Sequence, residues 1–197
     1  MEMSSVWFAA TIASLALGLS ATSHAGTGEA APAPEITVTS VTHVNVKSSK
    51  PFDAVTAAIE SQLGKFDAQV FGAAMKDVSN PAEVESKIHA MEGSSGFMLF
   101  AMRDHGQLLS LKGRKEFDRQ YEIGNPLIAV EMTQADLRAG EYAPLRICVY
   151  VGEDHLTHVD YDLPSTIFGR FKSAQVDKVA KSLDQKLETL IANALKN

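Results

Sequence analysis

The sequence predicts an α+β fold, with a single, mainly antiparallel sheet of five or six strands packed against helices in two layers. Apolar residues alternate with a period of two in several short segments and recur three and four residues apart in others. Strands and helices are therefore interleaved along the chain. Two of the strand pairs are predicted to be hairpins, which implies antiparallel pairing rather than a doubly wound parallel sheet.

The composition is that of an ordinary globular protein. The chain has 197 residues and a formal net charge of −6, with 21% charged and 45% hydrophobic residues. This is enough chain for one domain with a core. A mildly acidic protein lacks the basic stripe that nucleic-acid binding requires, so we expect no nucleic-acid partner. The single cysteine, Cys148, cannot form an internal disulfide and is typical of a small buried side chain on a strand.

The N-terminal segment is typical of a secretory signal peptide. Val6–Leu19 is uncharged and largely apolar, and Ser23 and Ala25 occupy the −3 and −1 positions of a cleavage site. We predict cleavage after Ala25, a periplasmic or secreted location and no membrane span afterwards. The n-region lacks Lys and Arg, and a retained anchor is the alternative, although the apolar run is shorter than the ~20 residues of a spanning helix. The predicted organisation is a signal peptide over residues 1–25, a flexible linker over 26–35 and a single domain over 36–197.

The first half of the domain is predicted to contain one strand and several helices. Ile36–Val46 is rich in β-branched residues and alternates, which favours a strand. Pro51 then opens an amphipathic helix that ends at Gly64. Between residues 65 and 93 the spacing is again helical, and Asn80-Pro81 is a strong helix start.

The next segment predicts a buried hairpin followed by another strand. Phe97–Met102 is a continuous apolar run, Asp104-His105-Gly106 is a turn signal, and Gln107–Leu111 is the predicted return strand. Met98 and Met102 lie on one face of that strand, where core packing explains them better than copper binding. Arg119–Ile123 is a further short strand.

The C-terminal part shows the clearest periodicity. Asn125-Pro126 opens a helix, and Pro144–Val151 alternates and pairs with Leu156–Leu163 in a second hairpin. A long helix from Ser173 to Leu195 closes the chain, and we expect the sheet to pack on the first and last helices. The apolar stripe of this helix consists of Val176, Val179, Ala180, Leu183, Leu187, Leu190, Ile191 and Ala194.

Few residues of the sequence indicate a catalytic, metal-binding or ligand-binding role. His105 lies in a predicted turn at a sheet end, where a histidine is well placed for proton transfer or ligation, and Asp104 beside it either orients the ring or begins the turn. His158 and Asp160 share one strand face and are weak candidates for metal ligands that need a third from elsewhere. The helix start at Asn125 can bind an anion, although Pro126 removes one donor and ordinary capping explains the pattern.

The order of these motifs resembles one family. Asp104-His105 after an apolar strand, Ile123–Pro126, Ala143–Arg146 and the closing Tyr161–Pro164 are similar to elements of the domain of unknown function 302 (DUF302). The similarity covers Ile36 to Leu195. It implies a compact TT1751-like α+β domain that can form a homodimer, and no known reaction; many relatives are exported bacterial proteins. Any shared site would involve His105, Asn125, Arg146 and Tyr161.

Three functions follow as hypotheses. The first is an exported, non-catalytic module that binds a small ligand or a metal near His105 and the Asn125 helix start. The second is an enzyme in which His105 is the general base, assisted by Tyr161 or Asp104, and it requires these groups to converge. The third is a structural domain that binds a partner through an exposed sheet edge or helix face. The sequence identifies no cofactor.

Overall fold

The computed structural model describes residues 32–196. The predicted signal peptide and its cleavage site lie outside the described residues, as does the linker up to residue 31. The chain divides into two units, Met1–Thr37 and Val38–Asn197. Residues 32–37 of the first unit have no regular secondary structure, and the second unit contains every strand and helix described below.

Six strands form the sheet. They are β1 (His43–Ser48), β2 (Gly64–Lys65), β3 (Met98–Asp104), β4 (Asp118–Gly124), β5 (Leu145–Val151) and β6 (Thr157–Asp162). Their order across the sheet is β1-β6-β5-β4-β3-β2, and every neighbouring pair is antiparallel except β2 with β3. The predicted α+β fold, with one mainly antiparallel sheet of five or six strands, is therefore confirmed.

Helices connect the strands and cover parts of the sheet. They are α1 (Phe52–Glu60), α2 (Ala68–Ala74), α3 (Pro81–His89), α4 (His105–Leu108), α5 (Pro126–Thr133), α6 (Pro164–Phe168) and α7 (Ala174–Leu195). Short 3₁₀ turns follow at Leu109–Lys112, Leu137–Tyr142 and Gly169–Phe171. Within residues 32–196, none of these helices combines the length and the apolar character needed to cross a lipid bilayer.

One face of the sheet, here called the covered face, packs on α1 and α7. The Ser173 hydroxyl caps α7 by accepting a hydrogen bond from the Val176 amide. All eight residues of the predicted apolar stripe of α7 are buried, as a period of 3.6 residues requires. Tyr121, Ile147 and Val159, from three adjacent strands, are fully buried in the same cluster. Removal of this apolar surface from water is the main stabilising contribution to the domain.

The opposite face, here called the open face, is covered at one end only. There α2 and α3 form a smaller apolar cluster with the start of β3, in which Val84, Ile88 and Met98 are buried. Farther along the sheet the register places Asn45, Asp160, Cys148 and Gln120 in one cross-strand row. This part of the open face is therefore polar, and no described helix buries it.

The segment after β3 differs from the prediction. The Asp104 carboxylate accepts a hydrogen bond from the Gln107 amide at 2.6 Å and caps α4. The chain then continues as a 3₁₀ turn to Gly113, whose φ of +70° favours glycine. The predicted turn at Asp104-His105-Gly106 with a return strand over Gln107–Leu111 is thus wrong, because capping and stop signals outweigh the short apolar alternation. β3 pairs with β4 instead.

An irregularity in the pairing of β3 with β4 exchanges the faces of the sheet to which the side chains in the second half of β3 point. The register with β4 shifts between Leu99 and Ala101, so the two methionines that the sequence placed on one face are separated. Met98 is buried under α2 and α3, whereas Met102 lies opposite Tyr121 and is 47% exposed. The same shift leaves Phe100 beside the open-face cluster of Met98.

Candidate functional site

An apolar groove on the open face is lined by aromatic rings on one side and by motif residues on the other. Its cavity is about 220 Å³ and is lined by Phe66, Phe71, Phe100, Gly124, Asn125, Pro126, Ala129, Ala143 and Pro144. The Phe66 ring lies 4.5 Å from the Phe100 ring and 5.3 Å from the Phe71 ring, measured between centroids. Phe71 is held there because Asp67 caps α2 through the Gln69 and Val70 amides.

The far wall of the groove is built by two motif segments that are distant in the sequence. Gly124 ends β4 and Pro126 begins α5, while Ala143-Pro144 leads into β5. β4 and β5 pair antiparallel, with Ile123 opposite Leu145, so the end of one strand meets the start of the other. The antiparallel pairing therefore brings the two segments to one wall.

Asn125 holds that wall in place. Its side-chain oxygen accepts a hydrogen bond from the Leu127 amide at 2.9 Å, which caps α5. Its nitrogen donates to Glu92 Oε1 at 2.7 Å and to the Gly96 carbonyl at 3.0 Å. Both amide protons are used, so the residue anchors the helix start and offers no free donor to a ligand.

A polar cavity adjoins the groove and shares Ala143 and Pro144 with it. It also measures about 220 Å³ and is lined by Glu122, Glu141, Tyr142, Ala143, Pro144, Leu145, Arg146, Asp162 and Ile167. The cavity beside the aromatic rings is apolar and the adjoining one is charged. Because they share Ala143 and Pro144, the two cavities form one amphipathic groove around Pro144.

The polar cavity is lined by three carboxylates and one guanidinium, and each carboxylate has a basic side chain near it. Glu122 pairs with Arg103 at 2.7 Å, and the Asp162 carboxylate lies 2.9 Å from His43. Glu141 lies 3.8 Å from Arg170. In contrast, the Arg146 guanidinium has no hydrogen-bond or ion-pair partner within residues 32–196, and its side chain is exposed. Arg146 is therefore the cation of the groove that is available to an anion.

The structure does not place His105 in this groove. Asp104 lies opposite Arg119 at one end of β3, whereas Met98 lies opposite Gly124 at the other. A strand rises ~3.3 Å per residue, so the His105 end and the Asn125 end are roughly 20 Å apart. His105 begins α4, and Asp104 is engaged in capping that helix and in a 3.5 Å ion pair with Arg119.

Tyr161 lies on the covered face. It pairs in register with Ile147 and Val44 and is buried in the main core, where burial raises the pKa of its hydroxyl. β4 and β5 separate its strand from β3, a distance of about 14 Å at ~4.8 Å per strand. His105 and Tyr161 thus lack the convergence that a general base and its assistant require.

His158 and Asp160 belong to a hydrogen-bonded network on the open face. His158 Nε2 is 2.8 Å from Asp154 Oδ1, and its Nδ1 is 3.0 Å from the Asn45 side-chain nitrogen. Asn45 also donates to Asp160, and the Tyr150 ring stacks on His158 with centroids 4.8 Å apart. Both ring nitrogens of His158 are thus occupied by protein partners.

Two residues of this network were not found from the sequence. His43 lies 3.1 Å from Asp160 and 2.9 Å from Asp162, and these contacts raise the pKa of its imidazole. Asn45 faces Asp160 only because β1 pairs with β6, and nothing local to β1 signals that pairing. Across residues 32–196 no three His, Cys, Asp or Glu side chains are arranged to hold a metal ion.

The comparisons with known proteins agree with this fold. A crystal structure of an uncharacterized conserved protein, DUF302, from Bacillus stearothermophilus has 16% sequence identity and a TM-score of 0.55, and the match covers 77% of this chain and 97% of that one. No curated protein matches the chain. The family model described as domain of unknown function DUF302 matches residues 74–194. Phe66 and Phe71, two of the three rings on the aromatic side of the groove, precede the matched residues. This chain belongs to the DUF302 family.

Proposed function

We propose that this DUF302 domain is an exported binding protein for a small amphipathic anion. The apolar part of the ligand would occupy the space between Phe66, Phe71 and Phe100, and its carboxylate would pair with Arg146. The observation that carries the proposal is the continuity of an aromatic cavity with a polar one that contains an unpartnered guanidinium. Binding sites for small molecules are typically apolar with a few placed polar groups.

The size and charge of the groove limit the ligand. Each cavity measures about 220 Å³, which is small against the roughly 300–1,000 Å³ of typical ligand pockets. An Arg side chain favours a planar carboxylate because its fork of donors matches the two oxygens. A medium-chain fatty acid or an aromatic acid fits this combination of an apolar body and one carboxylate.

The first test is titration of the purified protein with sodium octanoate, followed by calorimetry. Arg146→Gln removes the cation, and we expect it to weaken octanoate binding by about tenfold, since a charge-assisted hydrogen bond contributes roughly 1.5–3 kcal/mol. Ala129→Leu narrows the apolar cavity and should weaken the binding of octanoate and of 1-octanol alike. Arg114→Gln is the matched control, because Arg114 is exposed and pairs with Glu116 outside the groove. Equal loss in Arg146→Gln and Arg114→Gln would contradict the proposal.

Export is part of the proposal and rests on the sequence of residues 1–25. Intact-mass spectrometry of the protein from a periplasmic extract should give a chain that begins at Gly26. Trp7 is the only tryptophan, so the processed protein should also lack indole fluorescence. A full-length mass in the membrane fraction would instead indicate a retained anchor.

A partner-binding role is the second candidate, and the outer edge of β3 favours it. β2 pairs with β3 only at Met98 and Leu99, so among the described strands nothing covers the edge from Phe100 onward. Unpaired strand edges add strands from another chain, and a second copy would produce the homodimer that the family resemblance implies. Sedimentation velocity tests this role. Ala101→Pro should convert a dimer into a monomer, and a monomeric parent protein would contradict it.

A further inference from the structure

A third cavity lies between α7, the segment that follows α1 and the loop 93–96. It measures about 470 Å³ and is lined by Gln62, Ser94, Ser95, Ser182, Gln185, Lys186, Thr189, Leu190 and Asn193. The lining consists of hydroxyl groups, side-chain amides, one ammonium and one apolar residue. It contains no carboxylate, although acidic residues outnumber basic ones by 24 to 18 in the whole chain.

Lys186 is the charged group of this cleft and is held in a defined place. Its Nζ donates to the Ser95 carbonyl at 3.4 Å and lies 5.9 Å from the centroid of the Phe97 ring. Gly96, with a φ of +75°, leaves room for the ammonium, because a Cβ at that position would lie 2.7 Å from Nζ. The side chain is half-buried, and no carboxylate in residues 32–196 lies within ion-pair distance of it.

The remaining polar groups leave several hydrogen-bonding positions open to the cleft. Ser182 and Thr189 donate their hydroxyl protons to carbonyls of their own helix at 2.7 and 2.8 Å, so their lone pairs remain to accept. Gln62 uses its amide nitrogen on the Ala58 and Leu190 carbonyls, which leaves its oxygen. The side chains of Ser94 and Gln185 have no protein partner in the described part of the chain.

We propose that this cleft binds the phosphate monoester of a small polyol, such as a sugar phosphate. The phosphate oxygens accept from the Lys186 ammonium and the Ser94 hydroxyl, since a half-buried cation without a counter-ion favours a bound anion. The amides and hydroxyls of Gln62, Gln185 and Thr189 then exchange hydrogen bonds with the hydroxyl groups of the polyol. A cleft of this volume has room beyond a single phosphate, and its polar lining excludes an apolar ligand.

Calorimetric titration of the full-length protein with glucose 6-phosphate, inorganic phosphate and glucose tests the proposal. We expect glucose 6-phosphate to bind more tightly than inorganic phosphate, and glucose more weakly than both. Lys186→Gln should reduce the affinity for glucose 6-phosphate by about tenfold, the effect of losing one charge-assisted hydrogen bond. Gln185→Leu should reduce the preference for glucose 6-phosphate over inorganic phosphate and leave phosphate binding unchanged.

Lys181→Gln is the matched control. It makes the same change of charge at an exposed position of the same helix, outside the cleft. Absence of binding by the parent protein would overturn the proposal, and so would equal losses in Lys186→Gln and Lys181→Gln, which indicate only a general effect of charge. Equal affinities for glucose 6-phosphate and inorganic phosphate would overturn the polyol part. Octanoate binding in the Pro144 groove is expected to be unaffected by Lys186→Gln, so the two sites are tested independently.

Discussion

The same strands place apolar side chains on one face of the sheet and polar side chains on the other. On the covered face, Tyr121, Ile147 and Val159 are fully buried against α1 and α7. On the open face, Cys148 and Asp160 belong to one cross-strand row that also contains Asn45 and Gln120. Successive side chains of a strand point to opposite faces of the sheet, so residues one position apart lie in different environments, one in the apolar core and the other on the polar face. The buried side chains of the covered face therefore contribute most of the stability, whereas the open face carries the hydrogen-bonded polar side chains.

The largest expected effect compares two adjacent residues of β5. Ile147→Ala removes a fully buried side chain from the main core and should lower the free energy of unfolding by about 2–5 kcal/mol. Cys148→Ala, on the other face of the same strand, should cost about 1 kcal/mol or less. Urea denaturation of both variants measures the difference. Similar losses in the two variants would show that the open face is as tightly packed as the covered one.

The sequence predicted the covered face well because its signals are local. Every position of the α7 stripe is buried, since a period of 3.6 residues sustained over 22 residues leaves one interpretation. The alternation of β5 was equally informative, with Leu145, Ile147 and Val149 buried. The recognition of the DUF302 family from the order of the motifs is also confirmed.

The open face was predicted less well because it depends on contacts distant in the sequence. His158 and Asp160 were correctly placed on one face, but Asn45, the partner that they share, comes from β1, more than 110 positions away. The groove around Pro144 likewise needs the pairing of β4 with β5 to bring Asn125 and Arg146 near each other. The error at Asp104 has a different cause: a four-residue helix is too short to show a helical period.

The second prediction concerns the reactivity of the open face. Burial, and then the Asp118 carboxylate that accepts from its thiol at 3.2 Å, raises the pKa of Cys148 to about 12. At pH 8 the thiolate fraction is then roughly a thousandfold below that of an ordinary cysteine. We expect iodoacetamide to label the folded protein that much more slowly than the protein in urea. Comparable rates in the two states would show that the thiol is activated.

The third prediction tests the hydrogen-bonded network. His158→Ala leaves Asn45 and Asp154 without their shared partner and removes the ring on which Tyr150 stacks. The expected loss in the free energy of unfolding is about 1–3 kcal/mol, because the variant removes a buried ring together with two hydrogen bonds and its stacking contact. His89→Ala is the control, because His89 is 61% exposed in its contact with Glu92 and should cost far less. A loss no greater than that of the control would mean that solvent replaces the network.

The smallest expected effect is a dependence of stability on pH. Hydrogen bonds to Asp162 and Asp160 raise the pKa of His43 above the 6.5 of the unfolded chain. Its contribution is therefore fully present below about pH 6.5 and is lost as the pH rises through the folded pKa. Because the side chain is 57% exposed, we expect only ~0.2–1 kcal/mol.

Urea midpoints of the parent protein and of His43→Gln at pH 5.5 and 8.5 measure this contribution. The variant should lose less stability than the parent between the two values, because it cannot form the charged contacts at the lower pH. His105→Gln is the control for the general effect of removing a histidine, since His105 forms no ion pair within residues 32–196. If His43→Gln and His105→Gln keep the same pH dependence as the parent, solvent screens the His43 pairs completely. The polar part of the open face would then depend on His158 and its neighbours alone.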